Sequence, residues 1–310
     1  MNRREFLALA AATPLALRVS TVTGPLALVT CDYESRLAVV DLAARRVVRH
    51  IGTPPGPRSV ELVGAQAVAA HWDVGALSIV DAHRVRHVLH GIEAPRYTAA
   101  HPDGVHAFVT DSGHGVVALD VVRGRIVGRL KLPDWPRHVT RSPDGRVLWV
   151  GLGTASSRVA VVDVSDPRRP TRLALVTPPF GAHDVGFTPD GRHVWVTSGD
   201  TGATALFRAS GALVARHAAD AAPQHVTFGS GVAFLTSGDA GTLRVLSQDG
   251  TRQLRELPVP RGSYNVQYGN GIVLTPSLGA GTLTVLAAHG RLLETIHVAQ
   301  SCHDACFAPS

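Results

Sequence analysis

The chain has 310 residues, of which 45% are hydrophobic and 17% charged, a balance typical of a folded protein and far from that of a disordered one. Its formal net charge is +6, but the basic residues are scattered arginines without a basic run or a platform of aromatic side chains, so we expect no nucleic-acid partner. The sequence contains no glycine-rich phosphate loop, no zinc-protease helix motif and no haem-attachment motif, so no cofactor is required by its motifs.

The first 23 residues resemble a twin-arginine export signal. Arg3-Arg4 is followed by Phe6-Leu7 and by a short apolar segment, Ala8–Leu17. That segment is too short to cross a bilayer as a permanent transmembrane helix, so we expect no integral membrane domain. The pattern predicts a signal over 1–23, a single folded domain over 24–310, and export to the periplasm or the cell exterior.

From Leu26 onward, one sequence motif recurs about every forty residues. In its clearest copies, 138–150 and 184–196, an alternating apolar segment leads into a Pro-Asp-Gly turn and a second alternating segment follows, which is the pattern of a β-hairpin. A third strand, such as 159–163, and a weaker fourth, such as 125–130, complete each repeat. Seven such repeats predict an all-β, seven-bladed β-propeller with four antiparallel strands per blade.

The second strand of several repeats carries a short Val-Thr motif. Its copies include Leu28-Val29-Thr30, Phe108-Val109-Thr110 and Trp195-Val196-Thr197, the last two after a Pro-Asp-Gly turn. This resembles the YVTN-type β-propeller repeat of exported and surface-layer proteins, and the resemblance extends over residues 26–310. It implies the fold but not one function, because such propellers include binding proteins, lactonases, lyases and redox domains.

The repeat also predicts how the ring closes. The first copy begins at its second strand and the last copy ends at its first, so the N- and C-terminal strands should share one blade. Aligning the repeats places Cys302 at the position of Pro136 and Cys31 at that of Leu152, and we expect those two positions to face each other. A disulfide between Cys31 and Cys302 is therefore predicted.

Polar residues accumulate where each innermost strand begins, on the face around the mouth of the central channel. Loops on this face of a rigid ring are where propellers build sites. The candidate ligand-binding residues are Arg58, His71, Arg96, Tyr97, Arg137, His138, His183, Asp184, His225, His303 and Asp304, together with His114 in a loop between strands.

Three functions fit this set of residues, and the sequence alone does not choose among them. The arginine row Arg58, Arg96 and Arg137 suits a carboxylate or phosphate, which favours a monomeric binding protein or scaffold for a small anionic or metal-containing ligand or a partner protein. Alternatively, His183 or His225 could act as general base in a lyase or lactonase. Thirdly, His138, His183 and His225 could hold a transition metal in a metal-handling protein.

Overall fold

The computed structural model describes residues 24–113, 115–153, 158–219 and 221–308. The predicted signal over 1–23 therefore lies outside the described residues. Within them the chain forms seven sheets, each of four antiparallel strands joined by short turns, and one single-turn 3-10 helix, Trp72–Val74. The predicted seven-bladed β-propeller is confirmed.

Strand bounds follow the repeat from blade to blade. The first blade contains β1 (Leu26–Cys31), β2 (Arg36–Asp41), β3 (Arg46–Gly52) and, from the far end of the chain, β28 (Ala305–Phe307). The second and third contain β4 (Pro57–Val63), β5 (Gln66–His71), β6 (Ala76–Val80), β7 (Val85–Leu89), β8 (Pro95–Ala100), β9 (His106–Asp111), β10 (Gly115–Asp120) and β11 (Arg125–Leu130). The fourth and fifth contain β12 (Val139–Arg141), β13 (Val147–Gly151), β14 (Val159–Asp163), β15 (Thr171–Val176), β16 (Val185–Phe187), β17 (His193–Thr197), β18 (Ala203–Arg208) and β19 (Leu213–Ala218). The sixth and seventh contain β20 (Val226–Gly229), β21 (Val232–Ser237), β22 (Thr242–Ser247), β23 (Gln253–Pro258), β24 (Gln267–Gly269), β25 (Ile272–Ser277), β26 (Thr282–Ala287) and β27 (Leu292–His297).

The first blade closes the ring as the repeat predicts. Strand β28 pairs antiparallel with β1, with Val29 opposite Ala305 and Leu28 opposite Cys306, and it occupies the position next to the channel. Both strands are buried, so the two ends of the described chain join in one sheet and the edge of β1 is paired.

The threonine of the Val-Thr motif has a structural role that explains its recurrence. Thr110 donates its hydroxyl to the carbonyl of Arg137 at 2.8 Å, and Thr197 donates to the carbonyl of Gln224 at 2.6 Å. Each acceptor belongs to the segment that leads into the next blade. These two buried hydroxyls therefore join neighbouring blades and hold the start of the next inner strand in place.

The predicted disulfide is not formed in the structure, where Cys31, Cys302 and Cys306 are free and buried. The reason is a register one residue away from the expected one. Because Val29 faces Ala305, the observed register places Cys31 opposite His303 instead of Cys302. Cys31 and Cys302 nevertheless share one hydrophobic cluster, in which they pack as small apolar side chains.

None of the described residues forms a helix of the length and apolarity needed to cross a bilayer.

Candidate functional site

The site is built from two consecutive residues at the start of each innermost strand. In order around the ring, starting from the first blade, which closes it, these pairs are His303-Asp304, Arg58-Ser59, Arg96-Tyr97, Arg137-His138, His183-Asp184, Gln224-His225 and Tyr264-Asn265. The second members of all seven pairs line a cavity of about 280 Å³ inside the channel. All the first members except Arg96 line a cavity of about 320 Å³ at its mouth. The alternation of successive residues along a strand thus produces an inner and an outer tier.

Asp184 is the most connected residue of the inner tier. Its carboxylate accepts the backbone N–H of Val185 at 2.6 Å and that of Val226, in the next blade, at 2.9 Å. The same carboxylate contacts Nδ1 of His138 and lies 3.4 Å from Nδ1 of His225. Burial alone would raise the pKa of Asp184, but the two imidazoles hold it well below its usual range. Asp184 is therefore a buried carboxylate that orients two histidines.

Asp304 occupies the equivalent position in the closing blade and has the opposite electrostatics. It also accepts the N–H of the following residue, Ala305, and that of Val60 in the next blade, at 2.9 and 3.0 Å. Burial and the nearby Glu61 raise the pKa of Asp304 to about 8. Among the described residues, no imidazole lies within 4 Å of this carboxyl as His138 and His225 do for Asp184. Asp184 and Asp304 thus occupy the same position of the repeat and make the same backbone contacts, but at neutral pH Asp184 is ionised and Asp304 is largely protonated.

Around Asp184, aromatic and imidazole rings form a compact cluster. The ring of Tyr97 lies 4.4 Å from that of His138 and 5.5 Å from that of His225, and His183 lies 5.2 Å from His225. Burial lowers the pKa of His225 to about 4 despite the attraction of Asp184, so this imidazole is neutral at pH 7. Donor atoms of His138, Asp184 and His225 lie within 4.8 Å of one another, as a metal site requires, whereas His183 is outside that group.

Three of the seven residues of the outer tier are arginines. Nη2 of Arg137 lies 3.2 Å from Nε2 of His183, and Nη1 of Arg58 lies 3.8 Å from the carboxylate of Asp32. Burial and the charge of Arg137 lower the pKa of Arg96 to about 10. Among the described residues no carboxylate lies within 4 Å of the guanidinium of Arg96 or Arg137, so neither of these half-buried charges forms a salt bridge there, although the charge of Asp184 acts on Arg137 from further away.

Two tryptophans hold Arg96 in position. Its guanidinium carbon lies 4.5 Å from the ring centre of Trp72 and 5.5 Å from that of Trp135, while Arg58 lies 5.8 Å from Trp72. Stacking on indole restricts the guanidinium without satisfying its N–H donors, which leaves them free for a ligand. The contribution of Trp135 was not predicted, although a large aromatic residue in a loop of the mouth face is a signal that could have indicated it.

Two of the predicted ligand-binding residues, His71 and His114, are not part of the two tiers. His71 is fully buried between strands of the second blade, where Nε2 contacts the Ser78 hydroxyl at 2.8 Å and Nδ1 contacts the Pro55 carbonyl at 3.2 Å. It lines neither cavity. His114 lies outside the described residues. The remaining predicted residues all belong to the two tiers.

Comparisons with known proteins support the fold and leave the function open. No family model matches the sequence, and no curated protein matches it. The chain is similar in structure to a functionally unknown protein from Desulfotomaculum acetoxidans, with a TM-score of 0.80, 11% identity, and coverage of 91% of this chain and 98% of that one. It is also similar to hydrazine synthase of Kuenenia stuttgartiensis, with a TM-score of 0.74, 17% identity, and coverage of 85% and 92%.

A third similar structure is the β-propeller domain of Cps50 (Swd1) from Myceliophteria thermophila, with a TM-score of 0.65, 14% identity, and coverage of 78% of this chain and 86% of that one. These three proteins have unrelated descriptions. At such low identities the similarity concerns the propeller architecture alone.

Proposed function

We propose that this propeller is a binding protein that captures a small, multiply charged anion at the channel mouth. The observation that carries the proposal is that the half-buried guanidinium groups of Arg96 and Arg137 form no salt bridge with any carboxylate in the part of the chain that the structure describes. Burying a charge is costly unless it is paired, so a ligand that supplies carboxylate or phosphate oxygens gains from both groups. The predicted export signal would place this activity outside the cytoplasm.

Several features favour a small ligand over a large one. The mouth cavity, which Arg137 lines and Arg96 does not, has a volume of about 320 Å³, at the lower end of small-molecule sites. The lining also includes Asp239, whose carboxylate accepts the Tyr264 hydroxyl at 2.6 Å and lies 3.3 Å from the Gln224 amide. A ligand with its negative charge on one side and a hydroxyl or amine on the other therefore fits the charge distribution best.

Anion binding is expected to depend on the two unpaired arginines. Charge-assisted hydrogen bonds contribute about 1.5–3 kcal/mol each, so R96Q/R137Q should weaken the binding of citrate or pyrophosphate at least about tenfold in isothermal titration calorimetry. The control is R192Q, which removes an arginine whose side chain is 81% exposed on the opposite face. Equal affinity of R96Q/R137Q and wild type, or no binding of either probe to wild type, would contradict the proposal.

A second candidate function is proton transfer, with His225 as the general base. Its Nδ1 lies 3.4 Å from the Asp184 carboxylate and its Nε2 lies 3.5 Å from the Tyr97 hydroxyl, so the carboxylate fixes the imidazole as in catalytic dyads. In the described part of the chain no carboxylate lies within 4 Å of the His183 ring, which instead contacts Arg137, so His183 is the weaker candidate.

Hydrolysis of 4-nitrophenyl acetate tests this second candidate. Activity should be lost in H225Q and kept in H193A, which removes a histidine from a hairpin turn on the opposite face. A background rate that is the same in wild type and H225Q would exclude His225 as a base for ester opening. The anion-binding proposal does not depend on that outcome.

A further inference from the structure

The hairpin turn between β8 and β9 departs from the other Pro-Asp-Gly turns of the chain. In the turns at 142–147 and 188–193 a hydroxyl residue precedes Pro-Asp-Gly and donates to the aspartate, from Ser142 to Asp144 at 2.5 Å and from Thr188 to Asp190 at 2.7 Å. The turn at 101–106 has His101 in place of that hydroxyl residue. Its sixth position is also histidine, His106, so only this one of the three turns places two imidazoles beside its aspartate.

The two imidazoles converge on one oxygen of Asp103. Its Oδ1 accepts the backbone N–H groups of Val105 and His106 at 2.8 and 2.9 Å, which fixes the carboxylate. The other oxygen, Oδ2, lies 2.6 Å from Nδ1 of His106 and 3.0 Å from Nδ1 of His101. All three donor atoms lie within 4.8 Å of one another.

Nδ1 of each imidazole lies at hydrogen-bond distance from Oδ2, so a proton on each Nδ1 satisfies this oxygen. A divalent cation can take the place of these protons, because a neutral imidazole that carries its proton on Nε2 presents the Nδ1 lone pair as a ligand. The three atoms that share the protons are therefore also three metal-ligating atoms that already converge.

We propose that His101, Asp103 and His106 form a binding site for a divalent transition metal, with zinc as the best fit. Zinc bonds to imidazole nitrogen and carboxylate oxygen of about 2.0–2.2 Å imply separations of about 3.3 Å between tetrahedral ligands. The observed separations of 2.6 and 3.0 Å need to open by about 0.7 and 0.3 Å to reach this value, which small side-chain rotations can supply. The side chains are 16–35% exposed, so water can complete the coordination. This site is separate from the channel and does not depend on the proposed anion binding.

Calorimetric titration of the full chain with zinc chloride at neutral pH tests the site, with H101S/H106V as the main variant. These substitutions introduce the residue types of Ser142 and Val147 in the intact turn of the next blade, so the hairpin should fold. Wild type should bind one equivalent of zinc more than this variant. D103N, which keeps an oxygen for the turn, should lose the same equivalent.

The control is H193A, which removes a lone imidazole from the equivalent turn and should leave the stoichiometry unchanged. Zinc bound in the channel would contribute equally to wild type and variants, so it cancels in the comparison. The proposal is overturned if wild type binds no zinc in the micromolar range, or if wild type and H101S/H106V bind the same number of equivalents with the same affinity.

Discussion

An asparagine in place of Asp184 is expected to lower the free energy of unfolding by about 3 kcal/mol, because the buried carboxylate accepts hydrogen bonds from two backbone amides and orients two imidazoles. An amide side chain offers one acceptor oxygen and turns two N–H donors towards groups that themselves donate. Urea unfolding of wild type and D184N at pH 7 measures the difference.

D304N is the matched control, since Asp304 makes the equivalent backbone contacts without a paired imidazole. Its pKa of about 8 leaves the folded carboxyl largely protonated at pH 6, so this substitution removes little charge and should cost clearly less than D184N. Equal costs for the two variants at pH 6 would contradict the assignment of opposite charge states.

The cost of the two substitutions should also depend differently on pH. The pKa of Asp184 is lower in the folded protein than in the unfolded chain. Its ionised carboxylate therefore stabilises the folded state fully above the unfolded pKa, and this stabilisation is lost only at strongly acidic pH. The cost of D184N should not fall between pH 5 and 8. The folded pKa of Asp304 is raised, so its stabilisation is full below the unfolded pKa and is lost as the pH rises through about 8. The cost of D304N should accordingly decrease over the same range.

Removing the closing strand should have an even larger effect on stability. A chain that ends at Gln300 lacks β28 and the buried residues that precede it, which include Cys302, His303 and Asp304. It also exposes the buried edge of β1. The loss should be comparable with the whole stability of a domain, about 5–15 kcal/mol, so we expect no cooperative thermal unfolding in calorimetry.

A chain that ends at Ala308 retains β28 and is the control for this truncation. It should unfold cooperatively near the wild-type temperature. If the chain ending at Gln300 also unfolds cooperatively at that temperature, closure by β28 is not needed for the fold.

Much of the architecture was predictable because the repeat is regular. The spacing of the Pro-Asp-Gly turns predicts the blades, and alignment on those turns identifies the seven pairs that form the two tiers. The disulfide prediction was wrong because a shift of one residue in a strand pair changes which side chains face each other, and hydrophobic alternation does not resolve such a shift near a strand end.

Properties that depend on neighbouring blades were not predictable. Asp184 and Asp304 follow histidine in the same sequence context, yet His138 and His225 reach only the former. Likewise, the stacking of Arg96 on Trp72 and Trp135 joins loops of different blades. Such contacts depend on how far each side chain extends across the channel mouth, which a repeat pattern does not encode.

The most direct test of the proposed function is a crystal of the protein soaked in sodium selenate and measured at the selenium absorption edge. Selenate is a tetrahedral dianion, and its anomalous signal locates it without ambiguity. We expect the strongest peak at the mouth, within hydrogen-bond distance of the guanidinium groups of Arg96 and Arg137. Selenate bound at exposed arginines such as Arg192, with none at the mouth, would contradict the proposal.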